Sequence, residues 1–199
     1  MQRKTIIWII AGLLVVDQAV KLWVKSTMTL DESITVFHDW FFIRFIENPG
    51  AAFGFALGGS AGKLFLSLFR IAAVCVLGWY IDRLIRRGAP TGVIVCFGLI
   101  TAGAAGNIID SMFYGMIFSE SAFAQAATLF SPGGGYAGFL HGKVVDMLYF
   151  PLWNGHYPSW FPGVGGEPFI FFSPIFNMAD SYITTGVIWL LLFERKFFK

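Results

Sequence analysis

The chain has 199 residues, of which 56% are hydrophobic, 18% aromatic and only 13% charged, and its net charge is +2. A soluble domain carries roughly 25% charged residues, so with a mean hydropathy of +0.68 this chain is excluded from that class and placed among multi-pass membrane proteins. The small net charge, with no basic patch interleaved with aromatics, gives no footing for a nucleic-acid partner.

The hydropathy pattern predicts four spans, at about 5–24, 63–81, 91–114 and 174–193, each close to the length needed for a hydrocarbon core of about 30 Å. The N-terminus imitates a secretory signal. Its apolar run, however, is long, carries Asp17 and Lys21 and has no small-residue cleavage site behind it, so it reads as an uncleaved first span. Arg3, Lys4, Arg83, Arg86, Arg87, Arg195, Lys196 and Lys199 all fall on one side of a four-span chain. By the positive-inside rule both termini are expected in the cytoplasm, with 25–62 and 115–173 outside. Cys75 and Cys96 lie in apolar runs and read as buried free thiols.

Within the first external segment, the β-branched and aromatic runs 34–37 and 41–46 flank His38-Asp-Trp40 and predict a small hairpin or open sheet at the membrane surface. Pro49 and Gly50 then predict a turn, and the apolar stretch 53–57 an interfacial segment. In the third span Gly98, Ala102 and Gly106 recur every four residues, a face that admits a close helix neighbour. The second external segment is Gly-rich at Ser131-Pro-Gly-Gly-Gly135 and aromatic further on. Its part 119–138 is expected to be a mobile lid or substrate-guiding loop.

Carboxylates at membrane depth are costly, roughly 2.5–3.5 kcal/mol each on insertion scales, and are functional-site candidates by default. Asp180 has the strongest standing, with Asn177 three residues before it on what reads as one helical face. Asp17 and Lys21, spaced i,i+4, either neutralise each other or stand near the site. Asp110 with Asn107 is either a helix-packing group or part of the chemistry, and Asp146 by position alone is an ordinary loop residue. Arg70 reads as snorkelling or paired. His38, His141 and His156 lack metal-ligand spacing, and Ser60-Ala-Gly-Lys63 matches Ser-x-x-Lys without its companion motifs. A small transporter would place polar groups along a path and show a second, related half. Here they gather near the outer end, apart from Asp17 and Arg70, and a non-catalytic scaffold is the third reading.

Asp17-Gln-Ala-Val-Lys21, Asn48-Pro-Gly-Ala-Ala-Phe53, Gly106-Asn-Ile-Ile-Asp110, Val144-Val-Asp146 and Phe176-Asn-Met-Ala-Asp180 occur in an order that resembles the lipoprotein signal peptidases (signal peptidase II). The resemblance implies an all-α multi-pass membrane protein, a single peptidase domain over 1–199 with four transmembrane helices and a small external β-rich surface subdomain. It implies an intramembrane aspartic endopeptidase of the bacterial cytoplasmic (inner) membrane, cleaving prolipoproteins just before a diacylglyceryl cysteine. Asp146 and Asp180 fall at its catalytic positions. Asn48, Gly106, Asn107, Asp110, Asn177 and Ala179 fall at positions that shape the site, and Asp17 and Lys21 at its first-helix motif. The expected partners are diacylglyceryl prolipoproteins and membrane lipid, with the chain acting as a monomer and without a metal or other cofactor. Two departures stand out: Ser111 occupies the place of an arginine that usually follows the third-helix aspartate, and the segment 115–142 is longer than the family's connection.

Overall fold

The structure is a computed structural model that describes residues 1–49, 59–171 and 173–198. The expected turn at Pro49–Gly50 and the interfacial stretch 53–57 fall wholly or partly outside the described residues. Among them, three helices are long and apolar enough to cross a membrane: α1 (Arg3–Thr27), α2 (Gly59–Arg86), and α3 (Thr91–Ile109) with its continuation to Ile117. α5 (Met178–Phe193) is a shorter apolar helix of 16 residues, about 24 Å at 1.5 Å per residue. It begins at Met178 and not at 174, because Ile175–Phe176 form strand β6. The aromatic run before Asn177 has helix-like hydropathy but spends it on a sheet edge.

α3 lies at the centre of the helices, packed by α1, α2 and α5. Its small residues permit this. A Cβ on Gly98 would sit 2.4 Å from the Ile6 side chain of α1, and one on Gly103 would sit 2.2 Å from the Ala179 carbonyl oxygen of α5. The helix then widens into a π-turn at Asp110–Tyr114 and ends in a short α4, Gly115–Ile117. A π-turn leaves carbonyls unspent and is common at functional positions. Here the carbonyls of Ser111, Met112, Gly115 and Ile117 accept the N–H groups of Gly142, Leu140, Ala137 and Phe130. The long segment after α4, expected to be a mobile lid or substrate-guiding loop, is thus docked along the end of α3.

Four strands cap one end of the bundle in the order β1 (Ser33–Phe37), β2 (Phe41–Asn48), β3 (Val144–Tyr149), β6, all antiparallel. Val145 and Met147 turn into a buried cluster with Val24, Met28, Phe45, Tyr114 and Phe118. The strand's period of two therefore sends Val144 and Asp146 to the opposite face. β4 (Trp153–His156) and β5 (Pro168–Phe171) form a separate hairpin.

Lys25 corrects the expected first external segment, since it lies in α1 and is fully buried. Its ammonium is ion-paired with Glu47, bonded to Ser121 Oγ at 2.9 Å, and ringed by Phe45, Phe118 and Tyr136.

Candidate active site

The register of β3 and β6 brings the two best carboxylate candidates together. Leu148 pairs with Phe176, so Asp146, two residues earlier on the antiparallel strand, lies level with the start of α5. There Asn177 is the N-cap of α5 and Asp180 its third residue, in a reciprocal capping box: Asp180 N–H donates to Asn177 Oδ1 at 2.9 Å, and Asn177 N–H to Asp180 Oδ2 at 3.3 Å. Asn177 is therefore the cap itself and not a residue one turn away on a helical face.

The Asn177 amide then spans the site. It is fully buried, and its Nδ2 donates to Asp146 Oδ1 at 2.6 Å and to Asn107 Oδ1 at 3.1 Å. Asn48, at the end of β2, donates to the other Asp146 oxygen at 3.3 Å. Asn107 Nδ2 donates to Asp180 Oδ1 at 2.8 Å. The orientation of Asn107 is fixed by Lys21, which has only protons to give: Lys21 Nζ donates to Asn107 Oδ1 at 2.9 Å, leaving Nδ2 for Asp180.

Lys21 spends its other two protons on Asp17 Oδ2 at 3.0 Å and Asp110 Oδ2 at 2.8 Å, with all three side chains buried. These anions also hold the backbone of the elements around the carboxylate pair. Asp17 Oδ1 accepts from Ala179 N–H at 3.0 Å and Asp110 Oδ2 from Val145 N–H at 3.2 Å, so each fixes a residue adjacent to Asp180 or Asp146 in sequence. Gly106 is the space that lets this happen; a Cβ there would lie 2.5 Å from Asp17 Oδ2 and 3.2 Å from the Ala179 Cβ. Asp17 and Lys21 thus neutralise each other and also adjoin the site, and Asp110 with Asn107 is both packing group and support.

The ten residues that the resemblance names meet in this one network. Gln18 joins it, Arg70 acts on it and Glu47 lies beside it. Gln18 donates to Asp17 Oδ2 at 3.1 Å and Asp110 Oδ1 at 2.9 Å, and accepts from the Tyr114 hydroxyl at 3.1 Å. Arg70 of α2, read from the sequence as snorkelling or paired, interacts electrostatically with both Asp180 and Asp146. Glu47, beside Asn48, takes Lys25 and Lys143.

Burial pushes the Asp146 carboxyl up, to about 7, with the Asp180 charge adding to the rise against the Asn177, Asn48 and Lys21 contacts. For Glu47, burial also pushes upward, but Lys25, Lys143 and Ser121 more than offset it and hold the group below its usual range. Two clefts open on the pair. One of about 380 Å³ is lined by Glu47, Asn48, Asp146 and Ser173 among others; the second, of about 400 Å³, by Phe176, Asp180, Ser181, Thr184 and Thr185.

A polar, carboxylate-bearing site at the end of long apolar helices defines an integral membrane protein with the equipment of an enzyme. Two solved structures, each of a bacterial membrane enzyme, share this fold: one with a TM-score of 0.63 at 23% identity, covering 98% of this chain and 89% of the other, and one with 0.63 at 24%, covering 96% and 92%. The family model described as "Signal peptidase (SPase) II" matches residues 9–195, and the chain belongs to that family. It is similar to the lipoprotein signal peptidase of Porphyromonas gingivalis, 53% identical over 192 residues that cover 96% of this chain and 83% of the relative. The lipoprotein signal peptidase of Amoebophilus asiaticus is 35% identical over 91% of this chain and 73% of its own length.

Proposed function

We propose that this chain is an intramembrane aspartic endopeptidase that removes signal peptides from diacylglyceryl-modified prolipoproteins, cutting just before the lipidated cysteine. Family membership supports the substrate class, and the catalytic type rests on one observation: Asn177, fully buried, donates to Asp146 while exchanging capping bonds with Asp180. Two carboxyls so close in a poorly solvated place resist double ionisation and share a proton. Near neutral pH that proton is assigned to Asp146, where burial and the Asp180 charge favour it.

Asp180, steadied by Asn107, accepts a proton from the attacking water as its oxygen bonds the scissile carbonyl carbon. Asp146 gives its proton to the carbonyl oxygen; the proton on Asp180 then goes to the leaving nitrogen as the C–N bond breaks, and the hydroxyl proton returns to Asp146 when the carboxyl product forms. Lys21, Asp17, Asp110 and Gln18 hold the pair in place, and Asn48, Gly106, Asn107, Asn177 and Ala179 shape it.

In this reading α5 is the fourth span of a single domain in the bacterial inner membrane, with both termini cytoplasmic. Asp180 then lies in the first turn below the outer face, where the diacylglyceryl cysteine stays in the outer leaflet and water reaches the bond. The chain acts as a monomer on substrates delivered laterally through lipid. The test is Asp146→Asn and Asp180→Asn. Each is expected to abolish cleavage of a diacylglyceryl prolipoprotein while the protein keeps its thermal transition, and the double variant is expected to be no worse than either. Near-normal turnover by either single variant would overturn the catalytic pair.

A further inference from the structure

The cleft that reaches Asp180 contains two hydroxyls without a hydrogen-bond partner among the described residues. Thr184 and Thr185 line it one turn beyond Asp180, and neither makes a hydrogen bond among the described residues. A hydroxyl in an apolar helix ordinarily bonds back to the carbonyl four residues earlier. Thr101 does so to Phe97 at 2.7 Å, Ser111 to Asn107 at 3.0 Å and Ser181, in the same cleft, to Asn177 at 3.0 Å. Thr184 and Thr185 instead present exposed faces to a cleft of about 400 Å³ that Phe176, Asp180 and Ser181 also line.

α5 starts directly after β6, so residues beyond Asp180 lie further along the helix from the sheet, which in the peptidase reading places them deeper in the membrane than the carboxylate pair. A peptide bond at Asp180 is open to attack only where the substrate chain is extended. The N–H and C=O groups that extension releases have no water partners at that depth and must bond to protein. The deeper side is the signal-peptide side of the scissile bond, since that peptide is the part anchored across the membrane.

We propose that Thr184 and Thr185 form a subsite that hydrogen-bonds the unwound backbone of the signal peptide immediately before the scissile bond. This rests on the peptidase reading above and names where its substrate lies. The subsite takes main chain and not a particular side chain, so it serves many signal peptides. It discriminates by position, admitting an extended stretch where Asp180 waits and leaving an intact helix with nothing to gain from the hydroxyls.

The experiment compares Thr184→Val/Thr185→Val, which removes both hydroxyls at constant shape, with Thr184→Ser/Thr185→Ser, which keeps them. Purified full chains in lipid nanodiscs cleave a diacylglyceryl prolipoprotein while thermal transitions are recorded. The valine pair is expected to lose roughly tenfold or more in kcat/KM, as for two hydrogen bonds, at an unchanged Tm. The serine pair is expected to stay within about threefold of the parent, the cost of less than one bond. Parent-like kcat/KM in the valine pair overturns the subsite.

A second arm uses the Asp146→Asn/Asp180→Asn protein and a prolipoprotein with a photo-reactive residue in the turn before the cysteine, mapping crosslinks by mass spectrometry. Crosslinks within 181–185 are expected, and their absence also overturns the subsite. Crosslinks there combined with no cleavage by the parent chain would keep a peptide subsite and overturn the peptidase reading instead.

Discussion

Asn177 uses every polar atom of its side chain, and each bond reaches a different part of the fold: α5 through Asp180 N–H, β3 through Asp146, α3 through Asn107. Asn177→Ala removes a helix cap, worth about 1 kcal/mol, and also leaves Asp146 and Asn107 short of a buried donor, at roughly 1–3 kcal/mol more. A thermal transition lowered by several degrees is expected. Cleavage should fall at least a hundredfold, and Asn177→Ser, which restores the cap but not the amide donors, should recover only the cap's share of the stability and none of the activity. At the same scale, the raised Asp146 carboxyl sets a pH dependence. Once pH rises through about 7 the acid is lost, so kcat should decline on that side. A carboxyl raised above its unfolded value, roughly 3.9, also favours the folded state less as pH climbs from there to about 7, so stability should fall across that lower range and level off above it. Lys21 from α1, Arg70 from α2 and Asp180 from α5 act on that group. Arg70→Gln removes a positive charge, makes ionisation of Asp146 harder and should move the alkaline limb to higher pH, whereas Arg70→Lys should leave it in place. A limb that stays fixed in Arg70→Gln would show that the arginine acts elsewhere.

Among the elements, α3 depends on the absence of side chains and β3 on its pairing register. Gly106→Ala would drive a methyl toward Asp17 and Ala179, so overpacking of about 1–3 kcal/mol is expected along with a displaced α5. Chemical denaturation and single-turnover cleavage should both register it. The segment docked on the π-turn makes a different forecast. Ser121 and Tyr136 within it surround the Lys25–Glu47 pair, so replacing 119–138 by a short Gly/Ser linker exposes that pair and should lower Tm. Single-turnover cleavage should persist, because among the described residues none of the hydrogen bonds to Asp146 or Asp180 comes from that segment. Complete loss of cleavage in a folded variant would mean that the segment supplies a group to the site.

The sequence was informative where physics is local. Hydropathy located the long helices, and alternating β-branched and aromatic residues located the 33–48 hairpin. Ordered motifs named ten of the network residues, though not their contacts. It misled at 174–177, where an apolar aromatic run serves a strand, although Asn177-x-x-Asp180 is itself a helix-start pattern. It was silent on Lys25, whose partners Glu47 and Ser121 lie 22 and 96 positions away, because burial of a charge is decided by distant chain.

For the molecule as a whole, the proposed function requires that the sheet and both clefts lie on the outer side. Arg3, Lys4, Arg83, Arg86 and Arg87 gather at the opposite end of the helices from the sheet, with Arg3 paired to Asp82 at 2.5 Å. Cysteines introduced singly at exposed positions in 123–134 should react with an impermeant thiol reagent from outside the cell, and those in 86–89 should not. The reverse pattern would put the carboxylate pair on the wrong side for a lipoprotein precursor. The most direct test of the central claim is the new N-terminus that the purified protein generates. With a diacylglyceryl prolipoprotein in lipid, mass spectrometry is expected to find a released signal peptide and a mature chain beginning at the lipidated cysteine, and neither product with Asp146→Asn or Asp180→Asn. A cut elsewhere, or equal cleavage by those variants, would contradict it.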